Sequence, residues 1–87
     1  MSYYLHKESV LDGKVSQQGP YSTENEAKMA LANALARTYE ELMDWPDSPL
    51  NRQVDIRNEV ESAVRTGEAE ITNRKGTTLY VFSITTD

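Results

Sequence analysis

The sequence predicts an α+β domain with the element order β-β-α-α-β-β, in which an antiparallel sheet of three to four strands carries two helices on one face. Apolar residues recur every three or four positions across residues 24–44, which is the spacing of a helix. Asp12-Gly13 lies between two extended runs, and a β-branched and aromatic run closes the chain. Two hairpins forming one sheet under both helices is the economical two-layer arrangement for this order.

The first 20 residues predict a hairpin. Residues 3–10 are rich in aromatic and branched side chains, and Asp12-Gly13 favours a type I′ turn because both residues tolerate positive φ. Residues 15–18 would return alongside, until Gly19-Pro20 breaks the extended chain. A three-stranded sheet, in which this return segment is irregular, is the alternative.

The long helix begins near Glu24. Thr23 followed by Glu26 forms a capping box, in which each side chain accepts a backbone N–H that the first turn leaves unpaired. Pro46 ends the helix because it lacks an N–H and disfavours a helical residue before it. The predicted core-facing residues are Ala27, Leu31, Ala34, Leu35, Thr38, Leu42 and Trp45.

A second helix is predicted from Ser48, as its cap, and Pro49, at its first helical position, to Thr66. Its narrower apolar stripe consists of Leu50, Ile56, Val60, Ala63 and Val64. Gly67 supplies the left-handed residue that closes many helices.

The last hairpin joins residues 68–73 to residues 77–86 through Arg74-Lys75-Gly76, where glycine suits the left-handed position. Strict alternation in the final strand puts Tyr80, Phe82 and Ile84 on one face and Leu79, Val81 and Ser83 on the other. Both faces are largely apolar, so we expect this strand to be central in the sheet.

Length and composition narrow the function. The chain of 87 residues is one domain and contains no cysteine, so disulfides, thiol catalysis and thiolate metal sites are excluded. No apolar run is long enough to span a membrane, and the N-terminus has no signal core, so we expect a cytoplasmic location and no membrane contact. Four dispersed glycines form no phosphate-binding loop, and we expect no cofactor.

Charge is concentrated in the middle of the chain. Residues 40–70 contain nine acidic residues and three basic ones, which gives this segment an excess of six negative charges. The net charge of the whole chain is -5, so nearly all of the imbalance lies in this segment. Several of these acids fall in the last turns of the long helix, where the helix macrodipole favours cations. The candidate partner-binding residues are Glu40, Glu41, Asp44, Trp45, Asp47, Asp55 and Glu59.

An acidic surface of this kind would bind a basic surface on a larger protein, or block a nucleic-acid groove by resembling phosphate. The simpler interpretation is a solvated surface that keeps a small domain dispersed. Direct nucleic-acid binding is disfavoured by the pI of about 4.8. A calcium or magnesium site from Glu40, Asp44 and Asp47 lacks the spacing of a known loop motif. His6 is the only histidine, and no serine lies in a nucleophile motif that could pair with it in catalysis.

We therefore predict a non-catalytic acidic protein-binding module. Small acidic domains without a catalytic constellation are common among phage and mobile-element proteins that bind a host enzyme. That analogy of class suggests an inhibitor of a host nucleic-acid enzyme, of the anti-CRISPR, anti-restriction or polymerase-inhibitor type. The alternative is a structural or assembly protein that self-associates through its sheet.

Overall fold

The computed structural model describes residues 1–51 and 53–87 and confirms the predicted α+β architecture and element order. One four-stranded antiparallel sheet has the strand order β2-β1-β4-β3. The elements are β1 (Tyr3–Ser9), β2 (Lys14–Tyr21), α1 (Glu24–Met43), α2 (Ile56–Thr66), β3 (Glu68–Thr72) and β4 (Thr78–Thr86).

The core lies between the helices and one face of the sheet. Cross-strand pairing places Leu5 opposite Ile84, and Ala69 opposite Phe82, so these side chains share the face that the helices cover. α1 packs over β1 and β4 and touches β2, whereas α2 packs against α1 and β3. β4 is therefore central, as its two apolar faces predict.

Leu79 departs from the predicted alternation. Ile71 pairs with Tyr80, but the next residue of β3, Thr72, pairs with Thr78, so Leu79 is an extra residue on β4. Such a bulge breaks the two-residue period of the strand. Leu79 is consequently buried in the same core cluster as Phe82, and the predicted assignment to the opposite face is wrong.

The first hairpin forms as predicted, with two differences. Its loop has four residues, 10–13, in which Gly13 has φ +70° and Asp12 does not have a positive φ, so the predicted type I′ turn is wrong. Asp12 Oδ1 instead accepts the N–H of Lys14 at 3.2 Å. β2 also continues to Tyr21, because an irregular pairing opposite β1 accommodates Gly19-Pro20 within the strand.

α1 begins at the predicted cap. The N–H of Glu26 donates to Thr23 Oγ1 at 3.2 Å, and Glu26 Oε2 accepts the N–H of Ser22, rather than that of Thr23, at 3.1 Å. The helix ends at Met43, so Trp45 lies beyond it and is not part of the buried face. The buried residues of α1 are Ala27, Leu31, Leu35, Thr38, Tyr39 and Leu42.

α2 starts later than predicted. Its cap is Asp55, whose Oδ1 accepts the N–H of Asn58 at 3.2 Å, whereas Ser48 Oγ accepts the N–H of Leu50 in a local turn. The predicted start at Ser48 and Pro49 is therefore wrong. Two tertiary contacts hold this segment in a non-helical, irregular course: Leu50 is 2% exposed in the core, and the carbonyl of Pro49 accepts the N–H of Arg74 at 2.9 Å. The helix ends at Gly67 with φ +79°, as predicted.

Candidate functional site

An apolar cleft lies where the loop of the first hairpin meets the end of α1. We call it the Trp45 cleft; its volume is about 150 Å³ and its walls are mostly carbon. Trp45 is 54% exposed and Leu11 is 77% exposed. The lining residues are Ser9, Leu11, Leu42, Trp45, Pro49, Leu79 and Tyr80. Two large apolar side chains are thus left in solvent beside an opening into the core.

The local structure explains why Trp45 is exposed. α1 ends at Met43 with Asp44 as its C-cap, so the helical spacing that buries Leu42 no longer applies two residues later. On the opposite wall, Leu11 occupies the four-residue hairpin loop, where no helix covers it. Because the cleft depends on the convergence of two distant segments, Trp45 is the only one of its lining residues that was predicted from the sequence to bind a partner.

The predicted binding residues do not form a single group. Glu40, Glu41, Asp44, Trp45 and Asp47 follow one another at the end of α1, and all five are exposed. Asp55 is also exposed, but its carboxylate caps α2. Glu59 lies on α2 and lines a different cleft. The acidic residues beside Trp45 therefore are the four at the end of α1: Glu40, Glu41, Asp44 and Asp47.

These four carboxylates have no basic partner among the described residues. The ion pairs within residues 1–51 and 53–87 are Lys28–Glu24 at 3.1 Å and Arg57–Glu61 at 3.3 Å, both one helical turn apart. The last turn of α1 contains no basic residue. Negative charge at this end consequently adds to the negative end of the helix dipole.

A second cleft, which we call the Tyr39 cleft, opens beside the first. The 47–51 segment separates them, since Pro49 lines the Trp45 cleft while Leu50 and Asn51 line the second one. Its volume is about 290 Å³. The lining residues are Tyr39, Leu50, Asn51, Gln53, Val54, Glu59, Glu70, Thr72, Asn73 and Arg74.

Tyr39 is the most unusual group in this cleft. Its side chain is only 4% exposed, and burial, together with the nearby negative charge of Glu59, raises the pKa of Tyr39 to about 12. The phenol therefore stays protonated throughout the physiological range. Glu59 is among the predicted binding residues, whereas Tyr39 and Glu70 are not. The spacing of Leu35, Tyr39 and Leu42 on one helical face is the signal in the sequence for a buried Tyr39.

The metal and histidine chemistries that the sequence analysis disfavours also find little support in the geometry of the described residues. No group of three or more His, Cys, Asp or Glu residues is placed to hold a metal ion in the described part of the chain, so Glu40, Asp44 and Asp47 do not converge on one. His6 lies on β1 opposite Gln17 and Ser83, and its imidazole makes no side-chain hydrogen bond to either residue. The absence of catalysis stays a prediction.

No family model matches this chain, and neither a curated protein nor a solved structure matches it. Among the helices of residues 1–51 and 53–87, none combines the length and the apolar character needed to cross a membrane. Function has to be inferred from the two clefts and from the charge around them.

Proposed function

We propose that the protein is a small non-catalytic binding module that docks on a basic surface of a larger protein through the Trp45 cleft and the four acidic residues beside it. The observation that carries this proposal is the half-exposed indole of Trp45 next to an open apolar cleft. Partly exposed tryptophans of this kind are among the residues that most often dominate binding energy.

Burial of the apolar groups would provide the affinity. Trp45 and Leu11 are large side chains, and covering them removes apolar surface from water at about 25 cal/mol per Å². The cleft between them takes an apolar side chain of the partner, since the walls formed by Leu42, Leu79 and Pro49 offer it contacts on several sides. A single anchor residue in a pocket is a common way for small interfaces to gain affinity.

The acidic residues would select the partner. Asp44 directly precedes Trp45 and Asp47 follows it two positions later, so both exposed acidic residues lie close to the indole along the chain. Lysine or arginine residues on the partner complement this charge, which increases the association rate and rejects acidic surfaces. Placing acids at the C-terminal end of α1 costs helix stability of about 0.3–1 kcal/mol each. A binding role accounts for that cost.

Within this class, a basic groove that binds nucleic acid is the partner surface that best suits clustered carboxylates. An inhibitor of a nucleic-acid enzyme, including one carried by a phage or mobile element, is the narrower form of the proposal. A cytoplasmic location agrees with such a partner.

A second candidate is self-association through the sheet. β2 is an edge strand whose residues are exposed along almost its whole length, and Val15 on it is 64% exposed. Unpaired edges of this kind can pair with a second copy. However, Pro20 and the irregular pairing around Gly19 interrupt one half of the strand, and both features discourage edge pairing. Sedimentation at several concentrations distinguishes the candidates, because a stable monomer contradicts self-association.

The binding proposal is tested by capture from an extract of the source organism at low and high salt. We expect a captured protein to be lost with Trp45→Ala and with the triple change of Glu40, Glu41 and Asp44 to lysine. Raising the ionic strength should also weaken capture, because screening reduces the attraction between exposed charges.

The matched control reverses Glu8, Glu61 and Glu68, which are exposed but lie away from the Trp45 cleft. It changes the net charge by the same amount as the other triple variant. Equal loss of capture by both triple variants would show a response to net charge and would contradict docking at the end of α1.

A further inference from the structure

The outer edge of β3 forms one side of the Tyr39 cleft, through Glu70 and Thr72. Ile84 on β4 donates its N–H to the carbonyl of Gly67 at 3.1 Å, so the backbone of Gly67 faces β4. In an antiparallel pair, alternate residues bond to the neighbouring strand, and the residues between them point away from it. Glu70 and Thr72 therefore direct their N–H and carbonyl groups away from β4. We call these backbone groups the open edge of β3.

Both ends of the open edge are closed by contacts within the chain. Glu68 also points away from β4, but Thr66 Oγ1 accepts its N–H at 3.4 Å and donates to its carbonyl at 3.1 Å. At the other end, the N–H of Arg74 donates to the carbonyl of Pro49 at 2.9 Å. Between these contacts, no described residue forms a hydrogen bond with the open edge.

An open edge of this length is a template for a short extended segment. Unpaired N–H and carbonyl groups on an edge strand bind another chain as an added strand. Glu70 and Thr72 each offer one donor and one acceptor, so the added strand gains up to four backbone hydrogen bonds. Residues 53 and 54 and Glu59 of α2 line the same cleft of about 290 Å³, so the segment would enter a slot beside the sheet.

We propose that the open edge of β3 takes up a short extended segment of the partner protein as an added antiparallel strand. The proposal rests on the proposed function, since the segment belongs to the protein that covers the Trp45 cleft. Pro49 connects the two places, because its carbonyl closes one end of the open edge and the residue also lines the Trp45 cleft. A partner that contacts Trp45 therefore reaches the open edge across a single short segment of the chain.

A second copy of this chain fits the open edge less well. The antiparallel register that uses both free residues of each copy pairs Glu70 of one with Thr72 of the other. This register places the two Glu70 side chains diagonally opposite on one face of the sheet, where like charges repel. A segment with lysine or arginine opposite Glu70 makes an attractive pair at that position instead. Such residues are expected on the basic surface of the proposed partner.

The test is an NMR titration of the protein alone with the peptide acetyl-Ser-Thr-Val-Lys-Ser-methylamide, in which threonine pairs with Thr72 and lysine with Glu70. We expect saturable binding with a Kd of about 1–10 mM. The amide protons of Glu70 and Thr72 should shift and exchange more slowly. Those of Ala69 and Ile71 should not gain protection, because they already face β4. No saturable shift at the open edge would overturn the proposal.

N-methylated peptides separate backbone pairing from side-chain contacts. A methyl group on the amide of the peptide's threonine or lysine removes an N–H that points at β3, so it should weaken binding about tenfold. On the valine, the same change affects an N–H that points away from β3, and the Kd should change by less than about twofold. Equal weakening by all three methyl groups would contradict strand addition.

Proline substitutions give the matched test on the protein. Thr72→Pro removes one outward N–H without breaking a bond to β4, so it should abolish peptide binding and preserve the fold. The control lies on the other edge strand: Val10 donates its N–H to β4, so His6 also faces β4 and leaves its β2 partner Gln17 pointing outwards. Gln17→Pro should bind the peptide like the native chain. Equal loss in both variants would contradict the site.

Thr66→Val should increase binding, so it is informative even if Thr72→Pro fails to fold. It removes the hydroxyl that occupies the backbone of Glu68, and the open edge gains a third residue. The longer peptide acetyl-Ser-Thr-Val-Lys-Val-Lys-Ser-methylamide should bind this variant at least about threefold more tightly than the native chain. Equal binding of the longer peptide to both proteins would overturn the assignment of the open edge.

The free protein provides the last control. Protection of the Glu70 and Thr72 amides that grows with protein concentration would show that a second copy occupies the open edge, and would contradict the proposal. The titration needs no partner, so its failure leaves docking at the Trp45 cleft intact. Conversely, unchanged capture by Trp45→Ala refutes the proposed function without changing the titration.

Discussion

Replacing Gly19 by alanine should destabilise the fold more than the same change at any other glycine. Gly19 has φ +128°, a backbone conformation that residues with a side chain rarely adopt. An added Cβ would lie 2.8 Å from the carbonyl oxygen of Tyr3 and 3.2 Å from Cδ1 of Tyr4. Because the Tyr3 carbonyl belongs to β1, the strand pair itself has to shift to relieve the contact.

The magnitude follows from these two costs. The unfavourable backbone conformation costs about 1–2 kcal/mol, and displacing a paired strand raises the total to about 2–4 kcal/mol. A domain of this size has a stability of about 5 kcal/mol, and each kcal/mol corresponds to about 4–8 °C in Tm. We therefore expect Gly19→Ala to lower Tm by roughly 8–32 °C, measured by circular dichroism during heating. Unfolding in urea should give the loss of free energy directly.

Gly13→Ala is the matched control. Gly13 also has a positive φ, +70°, but a Cβ there would meet nothing within 4 Å. Gly13→Ala should lower the free energy of unfolding by only about 1 kcal/mol, which is the cost of the backbone conformation. Equal losses at the two positions would show that the close approach to Tyr3 does not matter, and would refute the assignment of Gly19 to the pairing between β1 and β2.

Four further outcomes follow from the structure. Trp45→Ala should change the free energy of unfolding by less than about 1 kcal/mol in urea, because the side chain is half exposed, while abolishing partner capture. Glu41→Lys should raise it by about 0.3–1 kcal/mol, because the end of α1 favours a cation. Phe82→Ala should remove about 3–5 kcal/mol, which is more than half of the stability, so the midpoint of its unfolding in urea, followed by circular dichroism, should fall by more than half. The pKa of Tyr39 is raised from 10.0 to about 12 in the folded protein, so the stability that the neutral phenol contributes is complete below pH 10 and is lost as the pH rises towards 12. Urea titrations from pH 9 to 12 should show this decline in the free energy of unfolding, and Tyr39→Phe should make the decline smaller.

Local signals in the sequence were sufficient to predict most of the helices, strands and turns of the fold. The capping box of Thr23 and Glu26, the glycine at position 67 and the hairpin turn at Gly76 act within a few residues, so the pattern alone locates them. The central position of β4 follows from its two apolar faces. The bulge at Leu79 could not be predicted in this way, because it depends on how β3 pairs with β4.

The candidate site was less predictable, since its parts come from distant segments. Charge counting located the acidic end of α1, because neighbours in a sequence remain neighbours in a helix. It could not show that Leu11 lines the same cleft as Trp45, or that Glu70 joins Glu59 beside Tyr39. Both depend on tertiary packing between elements that lie far apart in the chain.

The main error in the sequence analysis coincides with the candidate site. Ser48 and Pro49 are a good helix start by local rules, yet the 47–51 segment is not helical, because Leu50 enters the core and the carbonyl of Pro49 accepts a hydrogen bond from the loop between β3 and β4. This course places Pro49 in one cleft, and Leu50 and Asn51 in the other. A helix beginning at Ser48 would draw these residues into its first turn and remove the wall that the clefts share. Places where tertiary contacts override a clear local preference are often functional. The same departure from local preference therefore forms the wall between the Trp45 cleft and the Tyr39 cleft.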